Sequence, residues 1–437
     1  MNRIKGQMIL STVMIAALLA GCSTGKTPQS SEAAAPPKVS SDPVTLTLFQ
    51  QFSEPDIVMN KHIMEAVKKK FPHVTLEIIK SGKGTTAEEL LSAGQFPDII
   101  YSSNPSISNV YVKLGLVYEL TALIKKYNVD LGKFNPLLLD AIKLQAPNGE
   151  LYALPHYDNS MYLTYYNKDI FDKFGVPYPK DGMVWEEYLD LQRKLTRVAD
   201  GVQYQGMDPQ TFRYGHPGYS NFAAGTNDKP DLLNDKWVEH FRLAASFYKV
   251  PGAEWKQGKK SWTDQFFKDR TTAIFAYRDY ISNFQDLEKN GTPMNWDIVS
   301  YPSFKDSPGI GIGTDSHNLS ISATSKHKEE AFQVIAFLVS KEAQSELVKD
   351  GKLSPLTDQD LKDNFGKNLD ILKGKNVQAI FKTKPTAPEK VNPFSTLVSN
   401  EVNTMFKEFE KGNDDVVTLL RQANEAAAKS IEAEKKK

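Results

Sequence analysis

Residues 148–171 read Asn148-Gly149-Glu150-Leu151-Tyr152-Ala153-Leu154-Pro155-His156-Tyr157-Asp158-Asn159-Ser160-Met161-Tyr162-Leu163-Thr164-Tyr165-Tyr166-Asn167-Lys168-Asp169-Ile170-Phe171. Asn148-Gly149 is a turn dipeptide, and the strand formers behind it run until Pro155, which cannot donate to a central ladder. A second strand-like run covers residues 161–166, and Asn167 or Asp169 is placed to cap a helix. Two strands joined by a short polar segment holding His156, Tyr157, Asp158 and Asn159 make a crossover between two lobes, with those side chains facing the gap.

Upstream, Val44-Thr45-Leu46-Thr47-Leu48-Phe49 alternates at the strand period, a helical pattern covers residues 56–71, and Val74-Thr75-Leu76-Glu77-Ile78 alternates again. Thr86-Ala87-Glu88-Glu89 has capping-box spacing and Gly94 stops the helix it opens; Asp98-Ile99-Ile100-Tyr101 is a short strand of the buried type. Strand, helix, strand, helix, strand predicts a parallel α/β sheet, whose ligands sit beyond the carboxyl ends of the strands. Those ends carry Gln50, Gln51 and Phe52, then residues 81–85, then Ser102 to Asn104, so Gln51 and Asn104 are candidate ligand contacts.

Downstream, Trp185 starts an amphipathic helix as a core residue, and Val238, Phe241, Ala245 and Tyr248 mark another. Residues 205–231 form an irregular loop with Phe212, Tyr214, His216 and Tyr219, open to either a cleft-lining or a plain surface role. Gly309-Ile310-Gly311-Ile312-Gly313 is followed by a strand and no helix, which speaks against a nucleotide loop and for the approach to a crossover. A last helix carries Val416, Leu420, Ala423, Ala427 and Ile431 on one stripe.

Gly149, Tyr152, Ala153, Leu154 and Pro155, followed by Tyr166, Asn167, Lys168, Asp169 and Phe171, resemble a segment of the family 1 extracellular solute-binding proteins, the capture components of ABC importers. Trp185-Glu186-Glu187-Tyr188 with Asp200-Gly201, and Ser325 to Ala331 with Ser340, Glu342, Gln344, Gly351 and Pro355, echo further blocks in the same order. Around Phe266, Phe267, Ala273 and Ile274 the match is partial, with Arg278 standing for a glycine and Tyr280 for a tryptophan. The resemblance implies an α/β, two-lobe periplasmic-binding-protein-like fold, each lobe a mixed sheet flanked by helices, with three crossovers near 156–160, 270–272 and 316–318. The implied first lobe is 43–156 with 270–316, and the second is 157–269 with 317–437.

The implied function is capture of a small ligand, an oligosaccharide first, by hinge closure and its delivery to an ABC permease. A ligand sensor or surface-binding protein on the same fold, or a glycoside-active enzyme, stays open as the alternative. The ligand set implied is Gln51, Asn104, Tyr157, Asp158, Asn159, Arg278, Tyr280, Asn318 and Phe394: rings to stack on sugar faces, polar groups for hydroxyls, and at Arg278 a guanidinium able either to pair an acidic sugar or to fold back on Asp279 or another acidic neighbour. A monomer without cofactor or metal is expected.

Of 437 residues, 40% are hydrophobic and 24% charged, and the formal net charge is zero. That length asks for two domains, and the balance gives no basic stripe for nucleic acid. Arg3 and Lys5 precede an apolar run that is too short to span a bilayer and ends in Leu19-Ala20-Gly21-Cys22, which resembles a bacterial lipobox. This predicts a signal peptide over 1–21, lipidation of Cys22, a flexible Ser/Pro/Ala tether over 22–42, and a body anchored on the extracytoplasmic face of the cell membrane. Cys22 is the one cysteine, so no intramolecular disulfide is available. The 7 histidines show no metal-ligand spacing and no nucleophile elbow occurs. Asp158 and Asp279 are the one carboxylate pair suggesting glycosidase chemistry, and hydrogen bonding to hydroxyls is the simpler role for them.

Overall fold

β1 (Val44–Gln50) buries Leu46 and Leu48 on its alternate positions and pairs in parallel with β2 (Val74–Lys80) and β3 (Ile99–Ser103). The computed structural model that shows this describes residues 42–208, 212, 228–253, 261–390, 392–413 and 415–436. The expected signal peptide, Cys22, the tether, and Tyr214, His216 and Tyr219 lie outside the described residues. Thr86 and Glu89 form the expected capping box, Thr86 Oγ1 accepting the Glu89 amide at 3.2 Å and Glu89 accepting the Thr86 amide at 2.9 Å. The helical pattern after β1 becomes a wide-turned π segment, Ile57–Glu65, running into Ala66–Lys70.

β4 (Leu154–Asp158) contains Pro155, although a strand ending before that proline was expected. It lies at the edge of the first sheet, where a missing amide costs nothing on the open side. The chain then crosses to β5 (Tyr162–Asn167), which belongs to a second sheet with β6 (Arg197–Ala199), β7 (Val202–Met207), β8 (Thr272–Arg278) and β9 (Trp296–Ser300). Asn167 is the cap of the helix Lys168–Phe174, its Oδ1 accepting the Asp169 amide at 3.1 Å. β10 (Ser316–Ile321) returns to the first sheet, antiparallel to both β3 and β4. The spatial orders are therefore β2-β1-β3-β10-β4 and β6-β7-β8-β5-β9.

Each sheet is mixed and flanked by helices, as expected, but the division of the chain between them differs. Residues 270–316 were assigned to the first lobe, yet β8 and β9 both pair with β5 in the second. No crossover falls at 270–272, because β7 and β8 lie side by side in one sheet. Residues 317–437 were assigned whole to the second lobe, yet β10 and the helices Lys328–Leu338 and Lys341–Lys349 pack into the first core through Leu319, Phe332, Ile335 and Leu347. The crossovers run through 159–161, 301–315 and 350–365. In the last, Leu356 and Leu361 still belong to the first core and Phe365 and Leu369 to the second. β8 is buried along most of its length, so its residues fit either sheet equally well and only pairing decides.

The second lobe has a core on each face of its sheet. Tyr162 and Tyr166 of β5 point to one, and Leu163 and Tyr165 to the other, as the two-residue period requires. Trp185, 1% exposed, sits in the first of these against Phe212 at 4.7 Å, so both are core residues. The closing helix, Val416–Glu434, buries Val416, Leu420, Ala423, Ala427 and Ile431 there. Both lobes belong to one compact unit, Lys38–Lys437.

Candidate functional site

The carboxyl ends of β1, β3 and β4 and the amino end of antiparallel β10 come out at one edge of the first sheet. Just beyond β1 the chain places Phe52 and Glu54 there, joined by Tyr101, Tyr157 and His317. The Glu54 side chain is 1% exposed and accepts hydrogen bonds from Tyr101 Oη at 3.1 Å and Tyr157 Oη at 3.0 Å, with His317 Nδ1 beside it. The Phe52 ring lies 4.5 Å from that of His317, and Tyr157 4.7 Å on its other side. Burial first, and then the Glu54 charge, push the Tyr157 hydroxyl well above its ordinary range, so it remains a donor to the carboxylate.

Facing this group is the end of β8, with Arg278 and the following Asp279. Lys352, from the third crossover, bridges the two sides: its Nζ is 2.7 Å from Asp279 and 5.9 Å from the Tyr157 ring centroid. Burial works against this ammonium, but Asp279 and Glu54 outweigh it and raise its pKa. Lys352 therefore stays charged between two carboxylates.

A second polar knot ties the first two crossovers together. Arg278 Nε donates to Tyr162 Oη at 2.9 Å, and Arg278 Nη1 lies 3.4 Å from Asp315 Oδ2. The same Asp315 oxygen accepts from Asn159 Nδ2 at 2.8 Å, and the Asp315 amide donates to Ser160 Oγ at 2.9 Å. Burial opposes the guanidinium charge, while Tyr162 and Asp315 hold it, and the net shift is upward. Arg278 thus turns to an acidic neighbour. Asp158 accepts the Ser160 amide at 2.8 Å, yet burial outweighs that bond and pushes its carboxyl up to about 6.

The structure brings together Tyr157, Asp158, Asn159 and Arg278 from the predicted set, but it scatters the others. Asn318 is 0% exposed and donates to Asn104 Oδ1 at 2.8 Å, inside the first sheet. It ties β10 to the helical turn that follows β3 and is fully buried, where a ligand contact was expected. Asn104 keeps a buried Nδ2 without a partner among the described residues, and Gln51 donates to Ser106 Oγ at 2.6 Å with its Oε1 likewise unmet. Tyr280 stacks on Phe267 at 5.7 Å within the second lobe. Phe394 packs on the core that holds the closing helix, and no contact among the described residues joins it to the Glu54–Asp279 group.

Sequence reasoning missed Glu54, His317, Lys352 and Asp315. Glu54 and His317 could have been found, since both lie within four residues of a strand end that faces the gap. Asp315, one residue before β10, could have been found on the same ground, whereas Lys352 carries no such signal, because a loop far along the chain delivers it.

Comparison with known proteins fits this geometry. A family model described as bacterial extracellular solute-binding protein matches residues 62–368. A multiple sugar-binding protein of Streptococcus mutans is 22% identical over 347 residues, covering 75% of this chain and 76% of the relative. A sugar transporter protein of Rhizobium etli, solved in an open conformation, superposes with a TM-score of 0.71 at 21% identity, over 88% of this chain and 99% of that one. An ABC substrate-binding protein of Listeria monocytogenes, solved with cycloalternan, gives 0.68 at 20% identity, over 89% and 99%.

Proposed function

The chain belongs to the bacterial extracellular solute-binding proteins, and from that premise we propose that it captures a neutral oligosaccharide between its two lobes and delivers it to an ABC importer. The observation that carries the choice of ligand is the pairing of the cleft's cations. Lys352 is matched by Asp279 and Arg278 by Asp315, so an anionic ligand would have to displace a carboxylate from each. What the cleft offers instead is ring surface at the half-buried Phe52 and His317, with the partly exposed Asp279 carboxylate to accept hydroxyl hydrogen bonds. The Streptococcus relative's name and the Listeria protein's bound cycloalternan support a carbohydrate.

Calorimetry tests this with cycloalternan and maltotetraose as neutral probes, and an oligogalacturonate and glycerol 3-phosphate as anionic ones. Saturable binding of a neutral glycan alone is expected, with Phe52→Ala weakening it by about 1 kcal/mol. Tighter binding of an anionic probe overturns the proposal.

The proposal extends to anchoring, supported by Leu19-Ala20-Gly21-Cys22 behind the apolar run. Cleavage falls before Cys22, the cysteine carries lipid, and the body stands outside the cytoplasm. Mass spectrometry of the membrane fraction should show a diacylglyceryl Cys22 as the first residue, and Cys22→Ser should leave the protein unprocessed. An intact 1–21 segment on the mature protein counts against it.

A further inference from the structure

Where the three crossovers meet there is a pocket of about 220 Å³ that none of Phe52, Glu54, His317, Lys352 or Asp279 lines. Its walls come from both lobes and from the connections themselves. Leu356 and Leu361 belong to the first core, Phe365 and Ile380 to the second, and Met161 and Ile312 to the crossovers. Asp158 is the one acidic residue lining it. An engineered apolar cavity of about 150 Å³ already suffices to bind benzene, so this volume holds a monocyclic molecule.

We propose that this pocket, distinct from the group formed by Phe52, Glu54, His317, Lys352 and Asp279, is a second ligand site for a small apolar molecule bearing one hydroxyl donor that the Asp158 carboxylate accepts. Ring and branched aliphatic groups make up much of the wall, beside the hydroxyls of Ser160, Ser354, Thr357 and Thr383 and the lysines Lys362 and Lys384. Asp158 is its one carboxylate; the apolar area gives affinity and the carboxylate orientation. Asp158 takes the Ser160 amide on one oxygen, and a donor arriving from a ligand adds a hydrogen bond to a carboxylate whose charge burial disfavours. Because the walls belong to both lobes, any change in the angle between them changes the pocket. Its occupant therefore binds one lobe arrangement better than the other.

The experiment uses phenol as the donor-bearing probe and toluene as its counterpart, titrated against the protein by saturation-transfer NMR. Leu356→Trp fills the pocket from the first lobe and Thr383→Trp from the second. Saturable phenol binding is expected, about threefold or more tighter than toluene, with that preference lost in Asp158→Leu. Each tryptophan variant should weaken phenol by about tenfold or more, and the second serves if the first fails to fold. Absence of saturable phenol binding overturns the proposal, as does undiminished binding in a folded tryptophan variant. Equal affinity for phenol and toluene overturns the role given to Asp158.

Discussion

Asp158 ends β4, accepts the Ser160 amide, and is tied through its own amide to the Leu353 carbonyl at 2.9 Å. Its carboxyl, ordinarily near 3.8, is raised by burial to about 6, so the folded protein holds a proton that the unfolded chain has released. Between those two values the native state binds more protons, and stability falls as pH rises through the window. Asp158→Asn removes this term. The stability of the variant minus that of the parent should climb from about pH 4 to about pH 6 and then level off, by on the order of 1–3 kcal/mol. Urea midpoints across that range measure it, and a flat difference would show the carboxyl to be unperturbed. That residues 156–160 would carry the chain from one sheet to the other was legible from their place between two strand-like runs. That Arg278 would turn to an acidic neighbour was one of two open readings, but which neighbour was not legible. Its partner Asp315 lies 37 residues away, behind a glycine-rich approach with no periodicity.

At the scale of elements, local rules carried where the chain decides locally. Asn167 caps the helix Lys168–Phe174 while Asp169, one position inside it, accepts from Asn295 Nδ2 at 2.8 Å. Asn167→Ala should therefore cost about 1 kcal/mol of stability by urea denaturation, and Asp169→Ala less. A reversal of that order would move the cap to Asp169. The capping box at Thr86, the core role of Trp185 and the stripe of the closing helix were equally readable, since each depends on neighbours within one or two turns. Membership of a sheet does not. Thr272-Ala273-Ile274-Phe275 is apolar on both faces and fits beside any strand. It lies in the second sheet because β5 and β7 flank it there, through pairings with residues more than 60 positions away.

For the whole molecule, three crossovers are the continuous connections among the described residues between two separately cored lobes, so rotation about them is the motion the fold permits. Saturating neutral glycan should reduce the radius of gyration seen by small-angle scattering, and an unchanged radius with proven binding would exclude a closing hinge. The strand order has another consequence, and it concerns time. β10 stands between β3 and β4, and β4 has no other strand neighbour in its sheet, yet residues 316–321 come long after both in the chain. The second sheet has all its strands between residues 162 and 300 and can pair as soon as they are made. A chain threaded across a membrane amino end first thus keeps its leading lobe unfinished until nearly three quarters of it has passed. β3 meanwhile presents an open edge to any passing strand.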